Sequence, residues 1–249
     1  MTTKPTITLI TGANKGIGFE TAKALANAGH HVLIGARNAD AGKAAAAGIV
    51  EAGGQADFIQ LDVTNQQQID DAASYIREHY GYVNVLINNA GMTADSHQPA
   101  STMPIDVMRQ DFDVNFFGLV AVTQAMLPLL KAADGARIIN LSSNMGSMGL
   151  ANDPQSRFYA VNSLGYQASK AAVNFATISF SKELAADGIT VNSVNPGWTA
   201  TTFGGRRLDQ PVPDGMQSPA AGAAQVIKVA LIDDPATGTF TETVGPLPW

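Results

Sequence analysis

The chain contains no cysteine, which removes disulfides, thiolate nucleophiles and cysteine-held metals from its chemistry. Its four histidines, His30, His31, His79 and His97, follow no metal-ligand spacing, and no metal site is expected. It also lacks any block of basic residues. Fifteen Lys and Arg stand against 21 Asp and Glu, a net charge of −6, so nothing along the sequence would hold a phosphate backbone or an anionic bilayer, and neither nucleic acid nor membrane is an expected partner. No apolar run reads as long enough to cross a bilayer, and no basic head followed by a hydrophobic stretch stands at the start; the expected location is the cytoplasm. What remains is 45% hydrophobic in 249 residues, enough for a sizeable core in one domain, residues 1–249.

Hydrophobic period alternates between strand and helix along that length. Strand-like runs at Thr6–Thr11, His31–Ala36, Ala56–Leu61, Asn84–Asn88, Arg137–Ser142 and Thr190–Asn195 are separated by helical spacing at Gly16–Ala28, Asp40–Ala52, Gln66–Tyr80, Ile105–Ala133 and Tyr166–Ala186. The alanine-rich patches Ala44–Ala47 and Ala220–Ala224 read as helix faces. Such alternation predicts an α/β Rossmann fold: a doubly wound parallel sheet of about seven strands with helices on both faces. The glycine- and proline-rich stretch 197–218, with Arg206 and Arg207, reads as a mobile loop or lid beside the active site.

Between the first strand and first helix lies Thr11-Gly12-Ala13-Asn14-Lys15-Gly16-Ile17-Gly18. Glycines there let backbone approach a pyrophosphate at a helix N-terminus, although a tight turn without a ligand has the same composition. The second strand ends Gly35-Ala36-Arg37-Asn38, where NAD-binding sheets usually carry an acid for the ribose 2′-hydroxyl. None stands here. Ala36 leaves room for a 2′-phosphate, Arg37 offers a charged planar fork and Lys15 a second cation, so NADP is the expected coenzyme; a surface arginine is the competing reading of Arg37. Asp40 reads as a helix N-cap or first-turn residue.

The spacing Gly-x-x-x-Gly-x-Gly is joined by Asn88-Asn89-Ala90-Gly91 after the fourth strand, Asn115 in the next helix and Ser143 after the fifth strand. Tyr166-x-x-x-Lys170 follows, and Pro196-Gly197 comes after the sixth strand. Together, in this order and over nearly the whole chain, these motifs resemble the short-chain dehydrogenase/reductase family. Asn14-Lys15 with Ala36-Arg37 resembles its NADPH-dependent carbonyl-reductase branch. The resemblance implies that Gly12, Asn14, Lys15, Gly16, Ile17, Gly18, Arg37 and Asn38 hold the coenzyme. It places Asp62 and Val63 at the adenine, with helix capping by Asp62 as the alternative. Asn89, Ala90 and Gly91 would line the adenosine ribose and support the sheet, where a plain turn is the competing reading. Pro196, Gly197, Trp198 and Thr199 would meet the carboxamide end, and core packing is equally open for Trp198.

Reducing a ketone or aldehyde requires a hydride at the carbonyl carbon and an acid near its oxygen. Tyr166 and Lys170, spaced i, i+4, share a helix face, and an ammonium at about 4 Å could favour the phenolate by up to about 4 kcal/mol, or about three pKa units. The resemblance makes Tyr166 the proton donor and has Lys170 hold the nicotinamide ribose and relay protons. Ser143 would hold the substrate oxygen and Asn115 anchor a relay water. Tyr159, a rival tyrosine, has Ser163 rather than lysine four residues on and reads as pocket or packing.

Tyr166 follows Ser143 by 23 residues, longer than the family gap of about a dozen, so the intervening segment is expected to reshape the pocket. Met145, Met148, Tyr159, Trp198 and Phe203 are its apolar candidates, suiting a hydrophobic carbonyl or alcohol. The family implies pairing of subunits into a dimer or tetramer, which the longer segment leaves open. Two other functions fit part of the pattern: a 3-oxoacyl-carrier-protein reductase, with Arg206 and Arg207 toward an acidic carrier, and a non-catalytic NADP-binding regulator, against which Ser143, Tyr166 and Lys170 stand.

Overall fold

The first strand, β1 (Thr6–Thr11), sends Ile7 and Leu9 to one face and Ile10 to the other, because successive side chains of a strand alternate. Both faces are covered, and all three side chains are fully buried. This holds across the sheet of the computed structural model, which describes residues 4–95, 97–233 and 235–249. The elements are β1, α1 (Gly16–Asn27), β2 (His30–Ala36), α2 (Ala39–Glu51), β3 (Gln55–Gln60), α3 (Gln66–His79), β4 (Val85–Asn88), α4 (Ile105–Phe112), α5 (Leu119–Lys131), β5 (Arg137–Leu141), α6 (Met148–Asn152), α7 (Leu164–Glu183), β6 (Thr190–Val194), α8 (Pro219–Leu231), β7 (Phe240–Glu242) and β8 (Gly245–Pro246).

The strands lie in the order β3-β2-β1-β4-β5-β6-β7-β8, all parallel except the β7–β8 pair. Helices α1, α2 and α8 contribute Ala22, Leu25, Ala45, Ile49 and Val226 to the core on one face. On the other, α3 and α5 contribute Ile69, Ile76, Val122, Met126 and Leu130, and Leu184 follows α7. Each such side chain, fully buried, adds about 1.5–3 kcal/mol relative to exposure. Chain order reverses between β1 and β4, and at such a switch point the connections leave in opposite directions, opening a crevice at the carboxyl ends of the strands. The glycine turn after β1, Asn89 after β4 and Ser143 after β5 all emerge at that edge.

Several expectations need correction. The sheet has eight strands rather than about seven, because β7 and β8, of three and two residues, are too short to carry a period. The region read as one helix, 105–133, is α4, a π-helical turn at Asp113–Gly118 and α5 in succession. Contrary to the reading that no stretch could span a bilayer, this path Ile105–Lys131 is long and apolar enough by length and composition. Its apolar side chains Val122, Met126, Leu129 and Leu130 instead pack into the core beneath the sheet. The helix read from Tyr166 begins at Leu164 and tightens after Glu183 into a 3₁₀ turn, Leu184–Asp187, closed by Gly188 at φ +68°. The longer segment after Ser143 contains a 3₁₀ turn, Asn144–Gly146, and α6.

Candidate active site

The glycine turn is held from beneath. Asn89 Nδ2 donates to the carbonyls of Thr11 and Gly12 at 2.8 and 3.1 Å, while the N–H groups of Asn89 and Ala90 donate to Thr11 Oγ1 at 3.0 and 2.9 Å. A Cβ at Gly18 would lie 2.5 Å from Asn89 Nδ2, so only glycine permits this approach. Asn89 and Ala90 therefore support the turn. Above it, α1 starts with no capping side chain and no acid in its first turn, leaving the N–H groups of its first turn for an anion.

At the rim of the crevice Lys15 Nζ donates to Thr202 Oγ1 at 2.7 Å, tying the turn to the loop after β6. Arg37 is exposed, and its carbonyl accepts from Gln60 Nε2 at 2.8 Å. Asn38 caps α2 by accepting from Ala41 N–H at 2.9 Å, which leaves Asp40 in the first turn. Asp62 accepts from Thr64 and the cap of α3 is Asn65, so the alternative of Asp62 as helix cap is set aside; Val63 beside it is buried.

Deeper in, the Ser143 hydroxyl lies beside the Tyr166 phenol and acts to lower its pKa. Ser143 Oγ accepts from Met145 N–H at 3.1 Å, which fixes its position just past β5. Lys170 is 4% exposed, its Nζ lies 5.8 Å from the Tyr166 ring centroid, and it donates to the Leu141 carbonyl at 2.8 Å. Burial pushes Lys170 down to about 8, against the opposing charge of Asp111. Burial pushes the Tyr166 phenol up to about 12; the Ser143 hydroxyl works against this and the Asp111 charge adds to it. The sequence expectation is a phenol made acidic by Lys170; burial acts on Tyr166 in the opposite direction, and Lys170 Nζ is directed at the Leu141 carbonyl.

The sequence 6–211 matches the profile of the short chain dehydrogenases. The chain belongs to that family. Short-chain dehydrogenase anuI of Penicillium roqueforti is 33% identical over 239 residues, covering 94% of this chain and 91% of that one. The 3-oxoacyl-[acyl-carrier-protein] reductase of Synechocystis is 36% identical over 196 residues, with 78% and 74% covered. Among solved structures, the NADPH-bound carbonyl reductase from chicken fatty liver superposes with a TM-score of 0.84 at 25% identity, covering 99% and 100% of the two chains. Salutaridine reductase from Papaver somniferum, at 23% identity over 94% and 99%, shares the fold with a TM-score of 0.78. As a short-chain dehydrogenase this protein is an oxidoreductase that uses a nicotinamide coenzyme.

Within this family member, Ser143, Tyr166 and Lys170 meet at one point. A Cβ placed on Gly91 would lie 3.3 Å from Asn115 Oδ1 and 3.5 Å from Lys170 Nζ, which adds Asn115 and Gly91 to the group. The Asn115 side chain is already engaged: Oδ1 accepts from Met92 N–H at 2.8 Å, and Nδ2 donates to the Met92 carbonyl at 2.9 Å and to Ser169 Oγ at 3.0 Å. At the carboxamide end, Thr199 Oγ1 donates to the Gly197 carbonyl at 3.0 Å and Gln217 Nε2 to the Pro196 carbonyl. Trp198 is 56% exposed, which removes core packing as its role. Of the pocket candidates, Phe203 packs edge-on to Tyr166 with centroids 5.5 Å apart and Met145 adjoins Ser143. Met148 and Tyr159 are exposed on the segment between Ser143 and Tyr166, so Tyr159 is not a packing residue.

Sequence reasoning missed the acids Asp95 and Asp111, both buried beside the start of α7. It also missed a polar chain through the core: Asn88 to Thr123 and Asn140, Asn140 to Thr177, and Thr177 to Ser193. Asn88 closes the apolar run 85–87 and Asn140 interrupts the run 138–141, and those two polar positions were the signal; Ser193 lies in a strand that also carries Thr190 and Asn192 and gave none.

Proposed function

We propose that this protein is an NADPH-dependent carbonyl reductase that converts a ketone or aldehyde to an alcohol, and the reverse. The observation that carries the reading is that Lys170, buried with its Nζ 5.8 Å from the Tyr166 ring centroid, and Ser143, held just past β5, converge on the Tyr166 phenol. NADPH, when bound, supplies the hydride. Its pyrophosphate suits the open first turn of α1, with Gly12, Asn14, Gly16, Ile17 and Gly18 around it. Asp62 and Val63 would meet the adenine, Gly91 the ribose, and Pro196, Gly197, Trp198 and Thr199 the carboxamide. Arg37 and Lys15, with Asn38 beside them, suit the 2′-phosphate, and the absence of an acid after β2 removes the group that would prefer a free 2′-hydroxyl.

Ser143 orients the carbonyl oxygen by hydrogen bonding and Tyr166 donates the proton that neutralises it. A phenol held well above neutral keeps its proton until the oxygen gains charge, which suits a donor. Lys170 stabilises the phenolate left behind, and Asn115 holds the wall of the pocket through Met92 and Ser169. Phe203 and Met145 give the substrate side an apolar surface, and residues 197–218 act as a lid whose base is pinned where Gln217 and Ala200 exchange backbone hydrogen bonds with Trp198 and Gln217.

A second reading, reduction of a carrier-bound 3-oxoacyl group, draws on the Synechocystis relative. It is weakened because Arg207 is paired with Asp209, which leaves Arg206, held on the carbonyls of Gln210 and Pro211, as the one uncompensated charge of the two toward an acidic carrier. The test is loss of reduced-nicotinamide absorbance with NADPH and with NADH over free ketones, aldehydes and carrier thioesters. We expect faster oxidation of NADPH with free apolar carbonyls. Activity confined to the thioesters overturns the first reading in favour of the second, and no activity with any carbonyl overturns both.

A further inference from the structure

Helix α7 carries Tyr166 in its first turn and is not capped by its own sequence. Ser163 occupies the N-cap position: its carbonyl accepts the first intrahelical bond, from Gln167 N–H at 2.8 Å, and its own N–H donates to Gln167 Oε1 at 2.9 Å. A serine there ordinarily accepts, through its hydroxyl, from the N–H two or three residues on. This one makes no such bond, although Ser163 and Gly165 are buried and the first-turn donors need partners. The acceptor comes from a distant part of the chain. Asp95 Oδ2, in the loop between β4 and α4, accepts from Gly165 N–H at 2.9 Å. Gly165 immediately precedes Tyr166.

Asp95 is itself fixed. It is 6% exposed, and its other oxygen, Oδ1, accepts from His97 N–H at 2.8 Å. His97 stands at φ +61°, the one non-glycine residue with positive φ among the described residues, and its Nδ1 lies 3.3 Å from the Asn162 carbonyl at the approach to α7. Such a conformation persists only where its surroundings hold it. Both Asp95 oxygens are thus taken by backbone N–H groups, and at this length only a carboxylate presents two acceptors. On the other side of the loop, Ala94 N–H donates to Asp111 Oδ1 at 2.7 Å, which ties it to α4. Helix α4 and the first turn of α7 meet closely: a Cβ on Gly165 would lie 2.8 Å from Asp111 Oδ2 and 3.3 Å from Met108 Cα. The loop also runs back through Met92, held at its N–H and its carbonyl by Asn115, to Gly91 at the exit of β4.

We propose that Asp95 is a positioning residue for the carbonyl reduction inferred above: by capping α7 from the loop after β4, it fixes the first helical turn and with it the place of the Tyr166 phenol. The inference rests on the proton-donor role given to Tyr166. A local serine cap would satisfy the same N–H but would leave the start of α7 free to move relative to β4. The cap from Asp95 joins the helix of Tyr166 to the strand exit that carries Asn89, Ala90 and Gly91, so one framework places the proton donor and the coenzyme side of the crevice. Placement at this level matters, because a shift of about 1 Å in a reacting group can cost about 10²-fold in rate. Asp95 acts on the reaction through Gly165 and Tyr166, so its loss should appear in kcat and hardly in coenzyme affinity.

The test reads the cap first and needs no turnover. Amide hydrogen exchange in Asp95→Ala is expected to accelerate at Gly165 by about 2- to 30-fold, the range that loss of an N-cap acceptor gives, with residues 173–177 in the middle of α7 unchanged. In the folded variant, kcat for NADPH-dependent ketone reduction should fall by about 10-fold or more while the Kd for NADPH stays within about 2-fold of wild type. Asp95→Asn offers one acceptor to two donors, so one of the Gly165 and His97 amides should exchange faster; kcat should stay near wild type where Gly165 keeps its partner and fall where it loses it. Unchanged exchange at Gly165 in Asp95→Ala overturns the cap. A lower Tm with an unchanged kcat makes Asp95 a stabilising residue alone and overturns the positioning role. Should Asp95→Ala fail to fold, Asp95→Asn decides: protection kept at both amides, or a kcat that falls while Gly165 stays protected, overturns the proposal. A wild type that reduces no carbonyl overturns the reaction proposed above, while exchange at Gly165 still judges the cap.

Discussion

The two ends of the crevice solve the problem of charge in opposite ways. At the catalytic end, Ser143, Lys170, Asp111 and Asn115 are each under a tenth exposed, and their polar atoms are placed by a dense set of backbone and side-chain partners. At the other rim, Arg37 and Lys15 stand exposed, and Lys15 is tied to a threonine of the opposite loop. Burial makes each group at the first end costly to place and strong in its effect on its neighbours. Exposure at the second leaves the cations hydrated and inexpensive, and on the proposed function they would act fully only with a dianionic phosphate between them. On the proposed function, the molecule thus spends its folding order where bonds would change and leaves coenzyme selection to groups that need little support.

The sharpest way to break this comparison is Tyr166→Phe. Losing a positioned proton donor costs about 10²–10⁴-fold in rate. Turnover is expected to fall by at least that much with NADPH affinity, read by coenzyme fluorescence, essentially kept. Retained turnover would mean that a different group donates the proton and that the buried end is scaffold alone.

Much of this contrast was legible in the residues, and unevenly so. The glycine turn and the Tyr166–Lys170 pair are visible in spacing, because a helix puts i and i+4 on one face and glycine lets a βα turn approach a ligand, whereas Ser143 was singled out only by the family resemblance. Arg37 was legible as an absence, since what distinguishes the end of β2 is the missing acid. Asp95 and Asp111 were not. An acid on a short amphipathic helix or in a turn reads as solvated surface, and nothing local announces that α7 will close over it. The same blindness touches Tyr166: the spacing shows the lysine but not how much water both side chains lose, and that loss acts on the phenol against the lysine. The strands β7 and β8 escaped for a simpler reason, being too short to display alternation.

At the rim, Arg37→Ala sharpens the comparison from the other side. A charge-assisted contact to a phosphate contributes about 1.5–3 kcal/mol, so NADPH affinity should weaken about 10- to 100-fold while NADH affinity changes little. Equal weakening for both coenzymes would show that Arg37 supports the fold or the adenosine generally and does not read the 2′-phosphate.

The smallest effect comes from a half-buried charge cluster on β2 and β3, away from the crevice at the carboxyl ends of the strands, which isolates what surface charge contributes to stability. Asp57 on β3 accepts from His31 Nε2 at 2.7 Å and from the Tyr80 hydroxyl at 2.6 Å, with nearly half of its side chain in water. Burial alone would raise its carboxyl, but the hydrogen bonds from Tyr80 and His31 outweigh it and hold the group below its ordinary range. A carboxyl lowered by folding contributes stability that is present above its unfolded value and lost as pH falls through its folded one. Solvent screening limits that contribution to about 1 kcal/mol or less. Asp57→Asn should therefore lower Tm by no more than about 2–4 °C at pH 7, with the difference from wild type vanishing in acid. A difference that persists unchanged below the lowered carboxyl value would mean that Asp57 acts through packing and not through charge, and exposed charge in this molecule would then have no measurable role apart from its ligands.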